Sequence, residues 1–315
     1  MKDKLISIFI PARDEEGNIA PLLEKLDRVI KAEQLNAEVI FVNDGSSDKT
    51  GSLLEEKKER YPFLKVYHHR RGLGLSAAME TGFKRCRGDY TLFIPGDLES
   101  DPEEDIPILI DELKKGSDVV LGWREGRGDG KKLTSKIYNA ISGKLFGVKF
   151  HDMNWIKGFN RDAMEALDLR KDWHRFIVHI LYAKGYKITE VKTKWHSRQY
   201  GKSKFKWTRI LTSFIDVFVV WMTLKFSQSP MRVFATLGII LISIGMIMGL
   251  TLTAIFILYQ IQYRPLFFAS LISIVTGLQM LLSGFTAEML VGMEMKIRKL
   301  ENKLEAYEKE NGSPD

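Results

Sequence analysis

Cysteine is almost absent from this chain of 315 residues, which contains one, Cys86. A single thiol cannot close an intramolecular disulfide, so the sequence excludes a disulfide-stapled fold and fits a reducing compartment. Helix-turn-helix, zinc-finger and RNP patterns are also missing. We therefore expect the net charge of +7 to serve the binding of anionic lipid head groups and phosphates, and we expect no nucleic-acid partner. The first apolar run, LISIFI, is too short for a secretory signal peptide, and we expect the domain that begins there to stay in the cytoplasm.

Charged side chains are missing from two long stretches in the last third of the chain, residues 233–263 and 265–287. Each exceeds the roughly 20 residues that a helix needs to cross the apolar core of a bilayer. We therefore predict two membrane-spanning helices in a hairpin, with a buried helical pair of a soluble protein as the alternative. Basic residues flank the pair on both outer sides, whereas the loop between carries only Arg264. The positive-inside rule then places both termini in the cytoplasm, at the cell membrane or the endoplasmic reticulum membrane.

Composition divides the chain into four predicted parts. Residues 1–204 resemble a soluble α/β domain in composition, and residues 231–292 form the hairpin. Between them, residues 205–230 are apolar nearly all round with basic ends, which predicts interfacial helices lying on the lipid bilayer; a core helix is the alternative. Residues 293–315 predict a charged, solvated helical tail. A homo-oligomer is compatible with the sequence, which carries no specific pattern for one.

Apolar, β-rich runs alternate with helix-like segments through the first 125 residues. The predicted strands are Ile6–Ala12, Ala37–Asp44, Leu64–His69, Tyr90–Asp97 and Asp118–Arg124, and the predicted helices cover 18–33, 48–60, 75–85 and 102–115. This alternation predicts an α/β fold with a mostly parallel sheet and helices on both faces. Ligands bind such sheets beyond the carboxyl ends of the strands, where the polar loops of this chain lie.

An acidic loop, IPGDLESDPEE at residues 94–104, follows the fourth predicted strand. A magnesium ion that carries a nucleotide needs one or two protein carboxylates besides the phosphates. Asp97 and Glu99, two residues apart in the loop, are the predicted metal ligands. The alternative is that the acidic run only begins a solvated helix, where the helix dipole favours carboxylates. That alternative suits Glu103 and Glu104 better than Asp97.

Asp44 closes the second predicted strand, in FVNDGSSDKT. A carboxylate at this place can accept hydrogen bonds from a ribose or a base edge. A purely local turn and capping role is an equal alternative. The glycine-rich fingerprint of nicotinamide-binding folds is missing after the first strand, which argues against that cofactor. Two basic clusters, at 124–132 and 196–204, suit phosphate binding, with general attraction to anionic lipids as the alternative.

Eight segments in order carry a family resemblance: IPARDEEGNI, FVNDGSSDKT, GLSAAMETGF, the acidic loop, GWREGRGD, DMNWIKGFNRD, HRFI and HSRQYGKSKF. In this order they resemble family 2 glycosyltransferases of the GT-A fold. More narrowly, they resemble the polyprenyl-phosphate glycosyltransferases, which include dolichol-phosphate mannose synthases and undecaprenyl-phosphate glucosyltransferases. The resemblance covers roughly residues 5–238, and the paired membrane helices fit it.

The resemblance implies roles for individual residues. The nucleotide sugar, linked to UDP or GDP, would be bound by Pro11, Arg13, Glu15, Asp44 and Asp97. The implied catalytic residues are Asp97, Arg124 and Arg127, and the implied lipid-phosphate ligands are Arg124, Ser135, Asn139, Arg198, Ser203 and Lys204. Asp97 would be the second acid of the DxD motif and would hold Mg²⁺ or Mn²⁺ with Glu99, which stands where the family commonly has Gln.

Pro95 departs from the family pattern, because many relatives have an aspartate at this first DxD position. One carboxylate is thereby lost, and Glu99 compensates for its charge. The implied reaction transfers a sugar to dolichyl or undecaprenyl phosphate by inverting displacement. The alternatives are a processive polysaccharide synthase, whose QxxRW element is missing here, and a non-catalytic lipid-binding scaffold, which the substitution by Pro95 motivates.

Overall fold

The computed structural model describes residues 4–125, 143, 147, 150–167, 173–197, 219, 220, 222 and 230–311. The chain divides into two compact units, Met1–Val217 and Phe218–Asp315. The predicted interfacial helices at 205–230 fall almost entirely outside the described residues. The bounds of the four predicted parts remain predictions.

The first unit alternates strands and helices as its sequence pattern predicts. Its strands are β1 Ile6–Ala12, β2 Ala37–Asn43, β3 Leu64–His68, β4 Tyr90–Phe93, β5 Val119–Glu125, β6 Lys157–Asn160 and β7 Ile188–Lys194. Its helices are α1 Glu16–Ala32, α2 Thr50–Lys57, α3 Leu75–Phe83, α4 Pro102–Lys114, α5 Arg161–Glu165 and α6 Ile177–Ala183, with a 3₁₀ turn at Trp173–Phe176. The mixed α/β fold class is confirmed.

The described strands form one sheet in the order β3-β2-β1-β4-β6-β5-β7. All neighbours pair in parallel except β6, which is antiparallel to both β4 and β5. The chain moves outward from β1 to β3 and then returns to the other side of β1 as β4. Because the strand order reverses there, a crevice opens beyond the carboxyl ends of β1 and β4, and ligands of such sheets bind in this crevice.

Two apolar layers cover the sheet. On one face α1, α2 and α4 pack against alternate strand residues, with Ile19, Leu23, Leu54 and Ile106 fully buried. On the other face α3, α5 and α6 do the same, around Phe9 and Phe159. Buried side chains at both faces of each central strand explain why the strands read as continuous apolar runs. This packing fixes the strand ends, and hence the loops that follow them.

The fourth strand is shorter than predicted, and two of the seven strands, β6 and β7, are not among the five predicted ones. We predicted β4 to run to Asp97, but it ends at Phe93, because Pro95 has no backbone N–H for the ladder and Gly96 follows. The antiparallel β6 has only four residues, KGFN, with no apolar alternation. Its place between β4 and β5 is set by pairing with those strands, which the local sequence does not encode.

The second unit contains a helical hairpin of α7, Pro230–Tyr259, and α8, Arg264–Asn311. Both helices are long and apolar enough to cross a membrane, over Pro230–Tyr259 and Arg264–Ile297. A Cβ added to Gly238 would lie 2.7 Å from the carbonyl oxygen of Gly277, so the two backbones touch. Small residues allow this approach between membrane helices. Helix α8 continues without a break through the predicted boundary at residue 292.

Candidate active site

The loops after β1 and β4 meet at the crevice. A Cβ added to Gly96 would lie 3.1 Å from the carbonyl oxygen of Pro11. Glycine at this position therefore lets the start of the acidic loop lie directly against the end of β1. The structure thus brings two separately predicted residues, Pro11 at the end of β1 and Asp97 in the loop after β4, to one edge of the sheet. This is the position at which substrates bind in this class of sheet.

Hydrogen bonds join the loop after β1 to the loop after β2. The Oδ1 of Asp14 accepts from the backbone N–H of Ser47 at 2.8 Å, and the N–H of Glu15 donates to Thr50 Oγ1 at 2.8 Å. Asp14 has a φ of 54°, a left-handed conformation that aspartate tolerates better than most residues. Because several bonds cross between them, the two loops form one surface.

Asp44 is 5% exposed and accepts hydrogen bonds through both carboxylate oxygens. Its Oδ1 accepts from Leu73 N–H at 2.7 Å and bonds His69 Nδ1 at 2.8 Å, while its Oδ2 accepts from Gly74 N–H at 2.9 Å. Burial works to raise the pKa of the Asp44 carboxyl, but these hydrogen bonds outweigh it, and the pKa lies below its usual range. Asp44 therefore stays ionised and holds the loop HRRGLG over the end of β2.

Arg13 extends the same surface towards solvent. Its side chain is 51% exposed, and its Nη1 lies 3.9 Å from Asp44 Oδ2. A Cβ on Gly72 would lie 2.4 Å from that Nη1, so the guanidinium covers Gly72. Gly45 has a φ of 62°, and a Cβ there would lie 2.3 Å from the backbone carbon of Arg71. Both glycines allow the loop after β3 to lie against its neighbours.

Asp97 and Glu99 lie in the turn after β4, and both are half-buried. The Oδ1 of Asp97 accepts from the N–H of Glu99 at 3.2 Å, and Leu98 between them has a φ of 56°. Within the described ranges, no group of three or more His, Cys, Asp or Glu side chains converges on a metal site. Two carboxylates on one turn fit a divalent cation that arrives with a diphosphate, because magnesium needs few protein ligands in that case.

The remaining acids of the loop have structural partners. Asp101 caps α4 by accepting from Glu103 N–H at 3.0 Å and pairs with Lys25 at 2.6 Å. From Asp101 onward, the acidic residues therefore form the amino terminus of α4, as the alternative interpretation of the acidic loop predicted. Burial, aided by Asp101 and Glu104, raises the pKa of the Asp105 carboxyl to about 6, against the opposing effect of a hydrogen bond from Ser100.

Arg124 lies at the end of β5 in a bidentate pair with Asp152. Its Nε and Nη2 donate to the two carboxylate oxygens at 2.5 and 3.1 Å. Its guanidinium also lies 4.5 Å from the ring centre of Trp155. Only about a tenth of the Arg124 side chain is exposed. Asp152 thus orients the guanidinium. The sequence did not predict this role, although Asp152 lies in DMNWIKGFNRD, one of the eight segments that carry the family resemblance.

The remaining predicted site residues lie outside the described residues: Arg127, predicted as catalytic, and the lipid-phosphate ligands Ser135, Asn139, Arg198, Ser203 and Lys204. The chain leading to the last three is described as far as residue 197. There, His196 N–H donates to the carbonyl oxygen of Glu99 at 3.0 Å, and Lys194 pairs with Glu104 at 3.1 Å. The basic segment that follows β7 therefore starts beside the acidic loop.

Besides Asp152, sequence reasoning missed His69, Leu73 and Gly74, which all contact Asp44. His69 orients Asp44 from one side and contacts Thr81 Oγ1 through its Nε2 at 3.0 Å. Leu73 and Gly74 act through backbone N–H groups, which carry no side-chain signature. The position of HRRGLG at the end of a strand was the available signal, since parallel strands bring such loops together.

The chain is similar in sequence to a known family and to several characterised proteins. The model of the family described as glycosyl transferase family 2 matches residues 7–176. A dodecaprenyl-phosphate galacturonate synthase from Rhizobium johnstonii is 30% identical over 90% of this chain and 87% of its own. An undecaprenyl-phosphate 4-deoxy-4-formamido-L-arabinose transferase from Pseudomonas fluorescens is 29% identical over 78% of this chain and 72% of its own.

Solved structures support the fold. A glucosyl-3-phosphoglycerate synthase from Mycobacterium tuberculosis, crystallised with Mn²⁺, uridine diphosphate and phosphoglyceric acid, superposes with a TM-score of 0.55. It is 16% identical and covers 70% of this chain and 78% of its own, so the likeness shows the fold alone. With the matched family model and the relatives above, it confirms the predicted GT-A architecture. The chain belongs to glycosyl transferase family 2, within its polyprenyl-phosphate glycosyltransferases.

Proposed function

We propose that this glycosyltransferase moves a sugar from a UDP- or GDP-linked donor to a polyprenyl phosphate at the cytoplasmic face of a membrane. The observation that carries the proposal is the crevice between β1 and β4, where the Asp97 turn lies against the end of β1, in a chain that also has two membrane-type helices. The names of the relatives agree with a polyprenyl-phosphate acceptor. The basic flanks of the hairpin support a topology with both termini in the cytoplasm, by the positive-inside rule.

The acceptor supplies the nucleophile. A phosphate monoester has a second pKa near 6, so the lipid phosphate is largely a dianion at neutral pH. One of its oxygens attacks the anomeric carbon while the bond from that carbon to the nucleoside diphosphate breaks. The leaving diphosphate takes the bonding electron pair, and the anomeric configuration inverts. No strong general base is required, and the protein acts by in-line positioning and charge stabilisation.

Asp97 and Glu99 are the residues that would hold a divalent cation, Mg²⁺ or Mn²⁺. When bound, the cation neutralises charge that develops on the departing diphosphate. Pro95 leaves the turn with one carboxylate fewer than the DxD pattern, and Glu99 supplies the second. The N–H of Glu99 donates to Asp97, which keeps both carboxylates on the same turn.

The other predicted residues divide between the two substrates. Pro11, Arg13, Glu15 and Asp44 form the nucleotide side, with Asp44 acting through the loop HRRGLG that it holds. Arg124, positioned by Asp152, lies on the acceptor side. Arg127, Ser135, Asn139, Arg198, Ser203 and Lys204 complete the acceptor side in this proposal. The backbone of His196, which precedes this basic segment, is bonded to Glu99, and this contact supports an acceptor side next to the proposed metal turn.

The full-length protein in detergent, incubated with radiolabelled nucleotide sugars, Mn²⁺ or Mg²⁺ and polyprenyl phosphate, tests the proposal. We expect label in the chloroform phase with at least one donor, and its loss on addition of EDTA. Water-soluble polymer would instead indicate a processive synthase. Donor hydrolysis or no reaction across UDP- and GDP-linked donors would contradict the proposal.

A further inference from the structure

Lys157 is a lysine buried inside the sheet. It begins β6, lies opposite Phe93 of β4 and Leu121 of β5, and is 2% exposed. Lysine is almost never fully buried unless its charge is paired, because moving an ammonium out of water is costly. The residue is not among the site residues predicted from the sequence, so its burial requires a separate explanation.

The ammonium has little to compensate its burial. Its Nζ donates to the carbonyl oxygen of Trp155 at 2.7 Å and lies 5.5 Å from the ring centre of Phe93. An ammonium has three N–H donors, and no carboxylate among the described residues lies within 4.0 Å of it. Asp152, whose charge acts on Lys157, is itself paired with Arg124.

Electrostatics agree with an incompletely paired cation. Burial lowers the pKa of Lys157 to about 7, with Asp152 working to raise the pKa and Arg124 working to lower it. These two are the charged groups that face Lys157, from the loop before β6 and from β5; β4 contributes the uncharged Phe93. An anion that entered beside Nζ would reverse the effect of burial and favour the protonated amine.

The side chain is directed to the substrate edge of the sheet. Strand β6 runs antiparallel to β4, so residues before Lys157 lie beyond Phe93 in the direction in which β4 ends. Nζ bonds the carbonyl of Trp155, two residues before Lys157, and is therefore held on that side. The chain that continues from Phe93 in this direction reaches Pro95 and Asp97.

We propose that Lys157 binds a phosphate group of a substrate and that its ammonium stabilises the negative charge of that group. The shared chemistry is a phosphate oxygen, which belongs either to the donor diphosphate or to the lipid phosphate. Which substrate carries this phosphate rests on the proposed transfer reaction, whereas the binding of a phosphate by Lys157 does not. A purely structural lysine would act through its hydrogen bond to Trp155, so its removal would lower the stability of the fold and leave substrate binding unchanged.

The wild-type protein gives a first test by calorimetry with UDP and with GDP, in buffers of different ionisation enthalpy. Because burial lowers the Lys157 pKa to about 7, the neutral amine predominates as the pH rises above 7, and a bound phosphate would favour the protonated amine. We expect proton uptake on binding of the preferred nucleotide at pH 8, and an affinity that weakens by up to about tenfold per pH unit above 7. Binding without proton uptake, together with an unchanged acceptor KM across this pH range, would overturn the proposal.

The variant Lys157→Met keeps the volume and removes the amine. We expect an unchanged or higher Tm. If the phosphate belongs to the donor, nucleoside diphosphate binding should weaken at least about tenfold. If it belongs to the lipid, the KM for polyprenyl phosphate should rise at least about tenfold. Lys65→Met, which removes a lysine paired with Glu38 away from the site, is the control and should leave both constants unchanged.

The outcomes separate this inference from the proposed function. Wild-type binding and KM in Lys157→Met would overturn the role of Lys157 while leaving the transferase intact. A lowered Tm with unchanged constants would assign Lys157 a structural role. Absence of lipid-linked product with every donor would contradict the transfer reaction, whereas proton uptake on nucleotide binding would still report on Lys157.

Discussion

Strand β2 carries a buried carboxylate at each end, Glu38 near its start and Asp44 directly after its last residue. Both residues are 5% exposed. In both, burial works to raise the carboxyl pKa, but hydrogen bonds together outweigh it, so each pKa lies below its usual range. Their partners differ. Glu38 accepts from the Ser7 hydroxyl at 2.6 Å, from Arg87 N–H at 2.8 Å and from Lys65 at 2.7 Å.

The difference lies in what each carboxylate holds. Glu38 joins β2 to β1, to β3 and to the turn before β4, all of them parts of the rigid sheet. Asp44 instead holds the loop HRRGLG, which belongs to the candidate substrate surface. The same chemical device therefore stabilises the fold at one end of the strand and positions a functional loop at the other. A change at Glu38 should affect stability, and a change at Asp44 should affect substrate binding.

The largest kinetic effect within this comparison is expected for Asp44→Ala. Without the carboxylate, the N–H groups of Leu73 and Gly74 lose their acceptor and the loop shifts. We expect kcat/KM for the donor to fall about a hundredfold, equivalent to about 2.7 kcal/mol of transition-state stabilisation. Steady-state kinetics with the accepted donor measure it. A loss of Tm with unchanged kinetics would place Asp44 with Glu38 as a purely structural residue.

Glu38→Ala should have the opposite profile. It leaves the buried Ser7 hydroxyl without its acceptor and removes one of the two acceptors of the Arg87 N–H. We therefore expect a loss of about 2–3 kcal/mol in the free energy of unfolding. The kinetic constants of the folded enzyme should not change. Denaturant unfolding together with kinetics checks both parts. A raised donor KM at unchanged stability would remove the distinction between the two ends of β2.

The pH dependence of stability follows from the lowered pKa of Glu38. Its stabilising contribution is fully present above the pKa of the unfolded chain, about 4.3. The contribution is lost as the pH falls through the lower pKa of the folded state. The stability difference between wild type and Glu38→Gln should therefore shrink as the pH falls below about 4, in unfolding curves recorded from pH 7 to pH 3. A difference that stays constant over this range would contradict the assignment.

A smaller effect is expected for Gly45→Ala. The added Cβ would lie 2.3 Å from the backbone of Arg71, and the φ of 62° disfavours any residue with a Cβ. We expect about 1–2 kcal/mol of destabilisation and a several-fold higher donor KM, because the strain acts on the loop that Asp44 holds. Gly116→Ala, at a positive φ with open space around it, is the matched control and should leave KM unchanged.

Much of the first unit could be predicted because its strands are buried on both faces. The run Ile6–Ala12 matches β1 to the residue, and the helix boundaries of α1, α3 and α4 are close to the predicted ones. Glycine, proline and acidic residues then mark the loops at the carboxyl ends. Strand β6 could not be predicted, because its four residues form a strand only between β4 and β5.

The sequence predicted those parts of the candidate site in which a side chain would act directly. It missed the parts that depend on how distant segments are arranged. Asp44 and Asp97 stand in recognisable loops at strand ends. The backbone donors of Leu73 and Gly74, the partnership of Asp152 with Arg124 and the burial of Lys157 depend on contacts between segments far apart in the chain. Such contacts follow from the sheet order, which local patterns do not specify.

The turnover of Asp97→Asn tests the account most directly. The substitution keeps the shape and the hydrogen-bond acceptor for Glu99 N–H but removes the charge that would hold the divalent cation. We predict an unchanged Tm and a loss of at least about a hundredfold in chloroform-soluble product under saturating Mn²⁺. Turnover equal to that of the wild type would contradict the placement of catalysis at the carboxyl edge of β4.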